Sequence, residues 1–155
     1  MSLQRELKLP HPFQSRKHEA LLNILRTGAF LSKRGDRFFL KYKVTMSQFN
    51  LLMVLKYGGS VCLTQSEIAE RLLVNRANIT GLIDRLEKTG LAERTGDKKD
   101  RRHYFIRLTP KGLKMLEKVE AAYDKEVDLI MDGVSEEESL RIIKSMERIR
   151  RPDKC

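Results

Sequence analysis

The sequence predicts an α+β fold that is mostly helical, and three observations lead there. Between Thr64 and Leu91 apolar residues recur at helical spacing in two short runs separated by only about three residues. A strand-like alternation follows on both sides of Gly96-Asp-Lys-Lys-Asp100. Long amphipathic stretches occupy the two ends of the chain.

Pro10 and Pro12 keep the start extended, and Met1-Ser2-Leu3 is assigned no structure. Leu21, Leu22, Leu25 and Ala29 then recur at three- and four-residue steps. Phe38 and Phe39 prolong that face, so a first helix is expected within 13–41. Gly28 and Gly35 weaken it by about 1 kcal/mol each relative to alanine. Thr45 with Gln48 three residues on forms a capping box for a second helix, which carries Phe49, Leu52 and Met53 and stops at Gly58-Gly59. Thr64 with Glu67 repeats that arrangement, and Ile68, Ala69 and Leu72 give the buried side of a short third helix.

Asn75 is an N-cap for the fourth helix, whose inner face is Ile79, Leu82, Ile83 and Leu86 and whose end is Gly90 as the left-handed residue. Residues 91–95 and 103–108 alternate as strands, with Tyr104, Ile106 and Leu108 on one face. Thr109-Pro110 starts a fifth helix through Leu116, Val119, Tyr123, Val127 and Ile130, about 30 Å long at roughly 1.5 Å per residue. Ser135 and Glu138 cap a last helix bearing Leu140, Ile142, Ile143, Met146 and Ile149.

Two short helices joined by a tight turn and followed by a charged hairpin make a winged helix-turn-helix. That module is expected over 45–109, within one domain spanning 1–155. The helices of 13–41 and 110–150 offer more apolar surface than so small a core can cover. Homodimerisation through the two chain ends is the consequence expected.

The net charge is +10, and eleven Lys/Arg against five Asp/Glu fall between Arg71 and Lys111. That concentration favours a polyanionic partner. The sequence contains neither a membrane-length apolar run nor a leader-like start, so a soluble, cytoplasmic protein without a membrane partner is expected. Cys62 and Cys155 are too few for a disulfide framework, and an inert thiol is expected at Cys62 rather than a redox sensor. His11, His18 and His103 lack ligand spacing, so no metal site is expected. A Gly-rich phosphate loop and a nucleophile elbow are both missing from the sequence, which argues against an enzyme and gives no reason to expect a cofactor.

With Ile79, Leu82, Ile83 and Leu86 committed to the core, Arg76, Ala77, Asn78, Thr80, Gly81 and Asp84 turn away from it. Arg76 can donate a pair of hydrogen bonds to guanine, Asn78 can pair with the adenine edge, and Thr80 can touch a thymine methyl or a phosphate. Ala77 and Gly81 are small enough to let the backbone approach. Taken singly these are ordinary solvated positions; the adjoining hairpin gives them a role. Its tip carries Lys98, Lys99, Arg101 and Arg102, interrupted by Asp100, which can orient a neighbouring arginine. Thr64, Gln65 and Ser66 suit either a backbone phosphate or simple capping. Arg85 has three candidate partners: a phosphate, Asp84 and Asp100.

The strings Leu63-Thr-Gln-Ser-Glu-Ile-Ala-Glu-Arg-Leu72, Leu82-Ile-Asp-Arg-Leu-Glu-Lys-Thr-Gly-Leu91, Asp100-Arg-Arg102 and Ile106-Arg-Leu-Thr-Pro-Lys-Gly112 resemble the MarR family of transcriptional regulators. The resemblance is tightest over 45–112. It implies a winged-helix homodimer on double-stranded DNA, with recognition helices in successive major grooves of a pseudo-palindrome. Arg102 would occupy the minor groove, held by Asp100. It also implies a repressor released by a small phenolic or other anionic effector, bound between the dimerisation helices and the DNA module. The cysteine of peroxide-sensing relatives is missing from residues 13–41, and the zinc ligands of other relatives cannot be assembled.

The competing expectation is a winged-helix module that binds RNA or protein, with the fourth helix as a packing surface. Tyr42, Tyr57, Tyr123, Phe30, Phe39 and the methionines are candidates to line an effector cleft, although aromatics and methionines at helical spacing are more often core.

Overall fold

The structure is a computed structural model that describes residues 2–58, 63–72, 76–96 and 104–151. In chain order the elements are α1 (Leu3–Glu6), α2 (Arg16–Leu40), α3 (Met46–Tyr57), β1 (Leu63–Thr64), α4 (Gln65–Leu72), α5 (Arg76–Lys88), β2 (Ala92–Gly96), β3 (Tyr104–Leu108), α6 (Pro110–Ile130) and α7 (Glu136–Ile149). Contacts divide the chain into two compact units, Met1–Leu116 and Glu117–Cys155.

Local chemistry sets most of these boundaries. The Thr45 hydroxyl accepts the Gln48 N–H while the Gln48 side chain accepts the Thr45 N–H, closing the box that starts α3. Glu67 accepts both the N–H and the hydroxyl of Thr64 at 2.7 Å, at the start of α4. Gly90, at φ 69°, ends α5: Leu91 N–H returns to the Leu86 carbonyl and Gly90 N–H to that of Glu87, the paired bonds of a Schellman ending. Asn75, the expected cap of α5, lies outside the described residues, as do Cys62 and His103.

The sheet has three antiparallel strands in the order β1-β3-β2, rather than the two-stranded hairpin expected from sequence. Leu63 pairs with Ile106 and Thr64 with Phe105, so a two-residue strand covers the edge of β3 that the hairpin leaves open. Two residues are too few to show a period of two, which is why β1 escaped the sequence pattern. On β3 the expected apolar face is realised at Ile106, buried, and Leu108, half-buried. Tyr104 is instead 54% exposed, opposite Gly96 near the hairpin tip.

The first unit is built around Ile79, Leu82, Ile83 and Leu86 of α5, the inner face expected, with Ile68 of α4, Leu51 and Leu52 of α3 and Ile106 of β3. At the end of α2, Phe39 meets Phe38 edge to face and Phe49 at a tilt, with ring centroids 5.0 and 4.9 Å apart, and is fully buried. Phe39 is therefore core and not a cleft residue. The N-terminal segment also corrects the expectation of no structure at Leu3: it forms the single turn α1, and Leu3 is buried.

Gly112 explains why the strand-end motif closes on glycine. A Cβ there would lie 1.9 Å from the Leu91 carbonyl oxygen, so only glycine lets the first turn of α6 approach the chain that leaves α5. Thr109 completes the junction by capping Gly112 N–H at 2.9 Å and donating its hydroxyl to the Gly90 carbonyl at 2.7 Å. Lys111 adds a bond to the Thr89 carbonyl at 2.7 Å.

In the second unit, Ser135 and Glu138 form the expected capping box of α7. No residue of α7 is buried, and Leu140, Ile142, Ile143 and Ile149 are 46–61% exposed. None of the described helices is long and apolar enough to cross a membrane.

Candidate nucleic-acid interface

The interface is organised by α5, because its buried stripe fixes which way every other residue on it points. Arg76 and Ala77 lie in its first turn, with side chains outside the described part. Asn78 and Thr80 are exposed and Gly81 half-exposed. Ser66 is exposed in the first turn of α4. Gln65, at the start of α4, donates its side-chain amide to the Thr80 hydroxyl of α5. That contact ties the start of α4 to the outward face of α5, and sequence spacing gave no hint of it.

Of the alternatives left open for Arg85, pairing with Asp84 is not realised. Asp84 instead accepts from Arg94 Nη2 at 2.6 Å, and Arg94 Nη1 donates to Glu87. The Arg94 backbone N–H also donates to Glu87 Oε1 at 2.8 Å. Asp84 and Glu87 are one turn apart on α5, so one guanidinium reaches both and fastens the helix to β2. Arg94 was missed from sequence; the available signal was two acids at i and i+3 followed by a strand arginine. The tie offsets one of the two carboxylate charges of α5 and so lessens the repulsion a polyanion meets at this helix. Arg85 is exposed and its guanidinium has no partner among the described residues.

On the flank of α5 away from Thr80, Asn78, Gly81, Leu82 and Arg85 join Ser47 and Asn50 of α3 and Leu72 of α4 around a groove of about 430 Å³. The tip residues Lys98, Lys99, Asp100, Arg101 and Arg102 lie outside the described residues. Their strands are in place: Arg94 pairs with Ile106 and Gly96 with Tyr104 in register, and Arg107 Nε donates to Glu93 Oε1 across the ladder at 2.7 Å. Arg71, at the end of α4, is held by the Gly58 carbonyl at 2.6 Å.

Among the described residues two titrations are displaced. The Thr64 hydroxyl and then the Thr64 N–H hold Glu67 below the usual carboxylate range, helped by the charge of Arg71. The Ser135 N–H and then its hydroxyl do the same for Glu138. Among the described residues no group of three His, Cys, Asp or Glu could hold a metal ion. Of the aromatic cleft candidates, Phe30 lines a cavity of about 350 Å³ with Leu3, Glu6, Arg26 and Lys33, whereas Tyr57 is 60% exposed beneath Lys56.

The comparisons agree with this geometry. Residues 42–103 match the model of the MarR family. The HTH-type transcriptional regulator PrsX of Escherichia coli is 33% identical over 120 residues, covering 76% of this chain and 71% of its own. Among solved structures, AbsC, a MarR family transcriptional regulator from Streptomyces coelicolor, superposes with a TM-score of 0.80 at 20% identity, over 90% of this chain and 95% of that one. A single-substitution mutant of S. aureus MepR bound to an oligodeoxyribonucleotide matches at a TM-score of 0.57 and 25% identity, covering 83% and 94% of the two chains. With α4, α5 and a three-stranded sheet arranged as a winged helix-turn-helix, the chain belongs to the MarR family of DNA-binding transcriptional regulators.

Proposed function

We propose that the protein acts in the cytoplasm as a homodimeric repressor on a pseudo-palindromic operator. In this reading 1–155 is a single functional domain, 13–41 and 110–150 carry the dimer contacts, and 45–109 reads DNA. The observation that carries it is the bare apolar face of α7, with Leu140 and Ile143 each 50% exposed. Leu21 and Leu25 of α2 are 50% and 60% exposed. A second copy covers such faces at little cost, because apolar burial contributes roughly 25 cal/mol per Å².

Each protomer then places the first turns of α5, with Arg76, Ala77, Asn78, Thr80 and Gly81, in one major groove. Ser66 and Arg85 meet phosphates, and Lys98, Lys99 and Arg101 follow the backbone at the wing. Arg102, oriented by Asp100, enters the minor groove. The MepR mutant bound to an oligodeoxyribonucleotide supports DNA as the partner in this reading. A small phenolic or anionic effector that prefers another spacing of the two helices releases DNA by its difference in affinity for the two states.

The test is selection of bound duplexes from a random pool, followed by titration of Arg102→Ala against the selected site at fixed salt. Enrichment of an inverted repeat, and weaker binding by a folded dimeric variant, are expected. Equal affinity removes the wing from the mechanism. Preference for structured RNA over duplex DNA defeats the reading as a whole.

A further inference from the structure

The two flanks of α5 are built differently. At about 100° per residue, Thr80 and Glu87 fall on one side of the inward stripe, and Asn78 and Arg85 on the other. The first side is closed by protein, through Gln65 on Thr80 and Arg94 on Glu87. The second side opens into the groove of about 430 Å³ shared with Ser47 and Asn50 of α3, with Leu72 and Leu82 among its lining. No carboxylate lines it among the described residues. The side chains of Ser47, Asn50, Asn78 and Arg85 all lack a protein partner among those residues. The Arg85 guanidinium is folded back along the helix, with Nη2 3.9 Å from where a Cβ on Gly81 would be.

We propose that this groove seats a DNA backbone phosphate, held by Arg85 from α5 and by Ser47 and Asn50 from α3. The inference rests on the reading of α5 as the helix that enters the major groove. A helix with its side chains is roughly 10–12 Å across and the major groove about 12 Å wide, so both flanks meet the sugar–phosphate walls. The flank at Thr80 offers one wall a side-chain contact already closed by protein. The flank at Arg85 offers the other wall an open pocket whose donors have no partner among the described residues. Its planar guanidinium matches two phosphate oxygens, while Ser47 and Asn50, three residues apart on one face of α3, supply a hydroxyl and an amide. A helix outside the helix-turn-helix pair thus fixes the register of α5 on the duplex without reading sequence.

The experiment uses the full-length chain, a selected operator duplex and a scrambled duplex. Asn50→Asp puts a negative charge in the groove and is expected to weaken both duplexes by a similar factor, about tenfold. Asn50→Ala with Ser47→Ala is expected to cost about threefold, and Arg85→Ala to reduce the salt slope by about 1. Methylphosphonate replacement, scanned along one half-site, should find a phosphate whose neutralisation costs affinity in wild type and costs Asn50→Asp nothing further. Circular dichroism and light scattering confirm that each variant is folded and assembled as wild type is.

If wild type binds DNA and Asn50→Asp binds equally well, the seat is overturned while the regulator reading stands. A wild type that binds no duplex overturns both. Binding of inorganic phosphate that depends on Asn50, with DNA affinity unchanged by Asn50→Asp, assigns the groove to a free anion and overturns the proposal.

Discussion

Helices α5 and α7 carry the same kind of apolar stripe and meet opposite fates. Ile79, Ile83 and Leu86 of α5 are fully buried, whereas Leu140, Ile143 and Ile149 of α7 are 50–61% exposed. Periodicity reveals that a face will be covered; it does not reveal by what. The stripe of α5 is covered within one chain, and that of α7 is left in solvent. The largest expected effect separates the two. Ile83→Ala should cost about 3 kcal/mol of folding stability in chemical denaturation, through the cavity it leaves. Ile143→Asp should instead lower the light-scattering mass to that of one 18.0 kDa chain, with helix content near wild type. An unchanged assembly after Ile143→Asp would break the contrast.

The ends of the two helices differ in the same sense. Beyond α5 the chain is locked to α6 through Gly90, Leu91, Thr109 and Gly112, and α7 begins from a cap made only of its own residues. Gly112→Ala drives a methyl against the Leu91 carbonyl and should cost about 2 kcal/mol. Native-state hydrogen exchange would show the loss concentrated at the end of α5. Exchange that accelerates uniformly over α7 instead would mean the junction does not govern α5.

Much of this was legible because its causes are local. Capping boxes at Thr45, Thr64 and Ser135, the terminator at Gly90 and the inner face of α5 each lie within a few residues, and the structure places them as expected. What escaped depends on chain segments meeting in space: β1 against β3, Gln65 on Thr80, and Arg94 reaching Asp84 and Glu87. The candidate site divides along the same line. Asn78, Thr80, Gly81 and Arg85 follow from helical geometry, whereas Ser47 and Asn50 join them only because α3 packs beside α5.

Arg94 sharpens the comparison at a smaller scale, since it is a tertiary tie of α5 for which α7 has no described counterpart. Its side chain is 25% exposed, and Asp84 and Glu87 are 56% and 29% exposed, so solvent screens part of the attraction. Arg94→Ala should cost about 1 kcal/mol of stability and also weaken DNA binding, because two carboxylates are unmasked beside the reading face. Arg94→Lys keeps the charge but not the fork, and should recover less than half of the affinity. Full recovery by lysine would make the tie a matter of charge alone.

The smallest effect concerns the one device the two regions share. Glu67 and Glu138 both titrate below the ordinary value of 4.5, each because a threonine or serine at the helix start donates to the carboxylate. A carboxyl whose folded pKa is depressed adds stability that is fully present above its unfolded pKa and is lost as pH falls through the folded one. Glutamine mimics the protonated state at every pH. Thermal melts of Glu67→Gln and Glu138→Gln should therefore lie below wild type at neutral pH, and the gap should close as pH falls below 4.5 and through the depressed folded value. For Glu67 the neutral-pH gap should be a few tenths of a kcal/mol, since the cap is almost entirely in solvent. A gap that stays constant with pH would mean that shape, not charge, makes these caps, and would remove the one stabilising feature that α4 and α7 have in common.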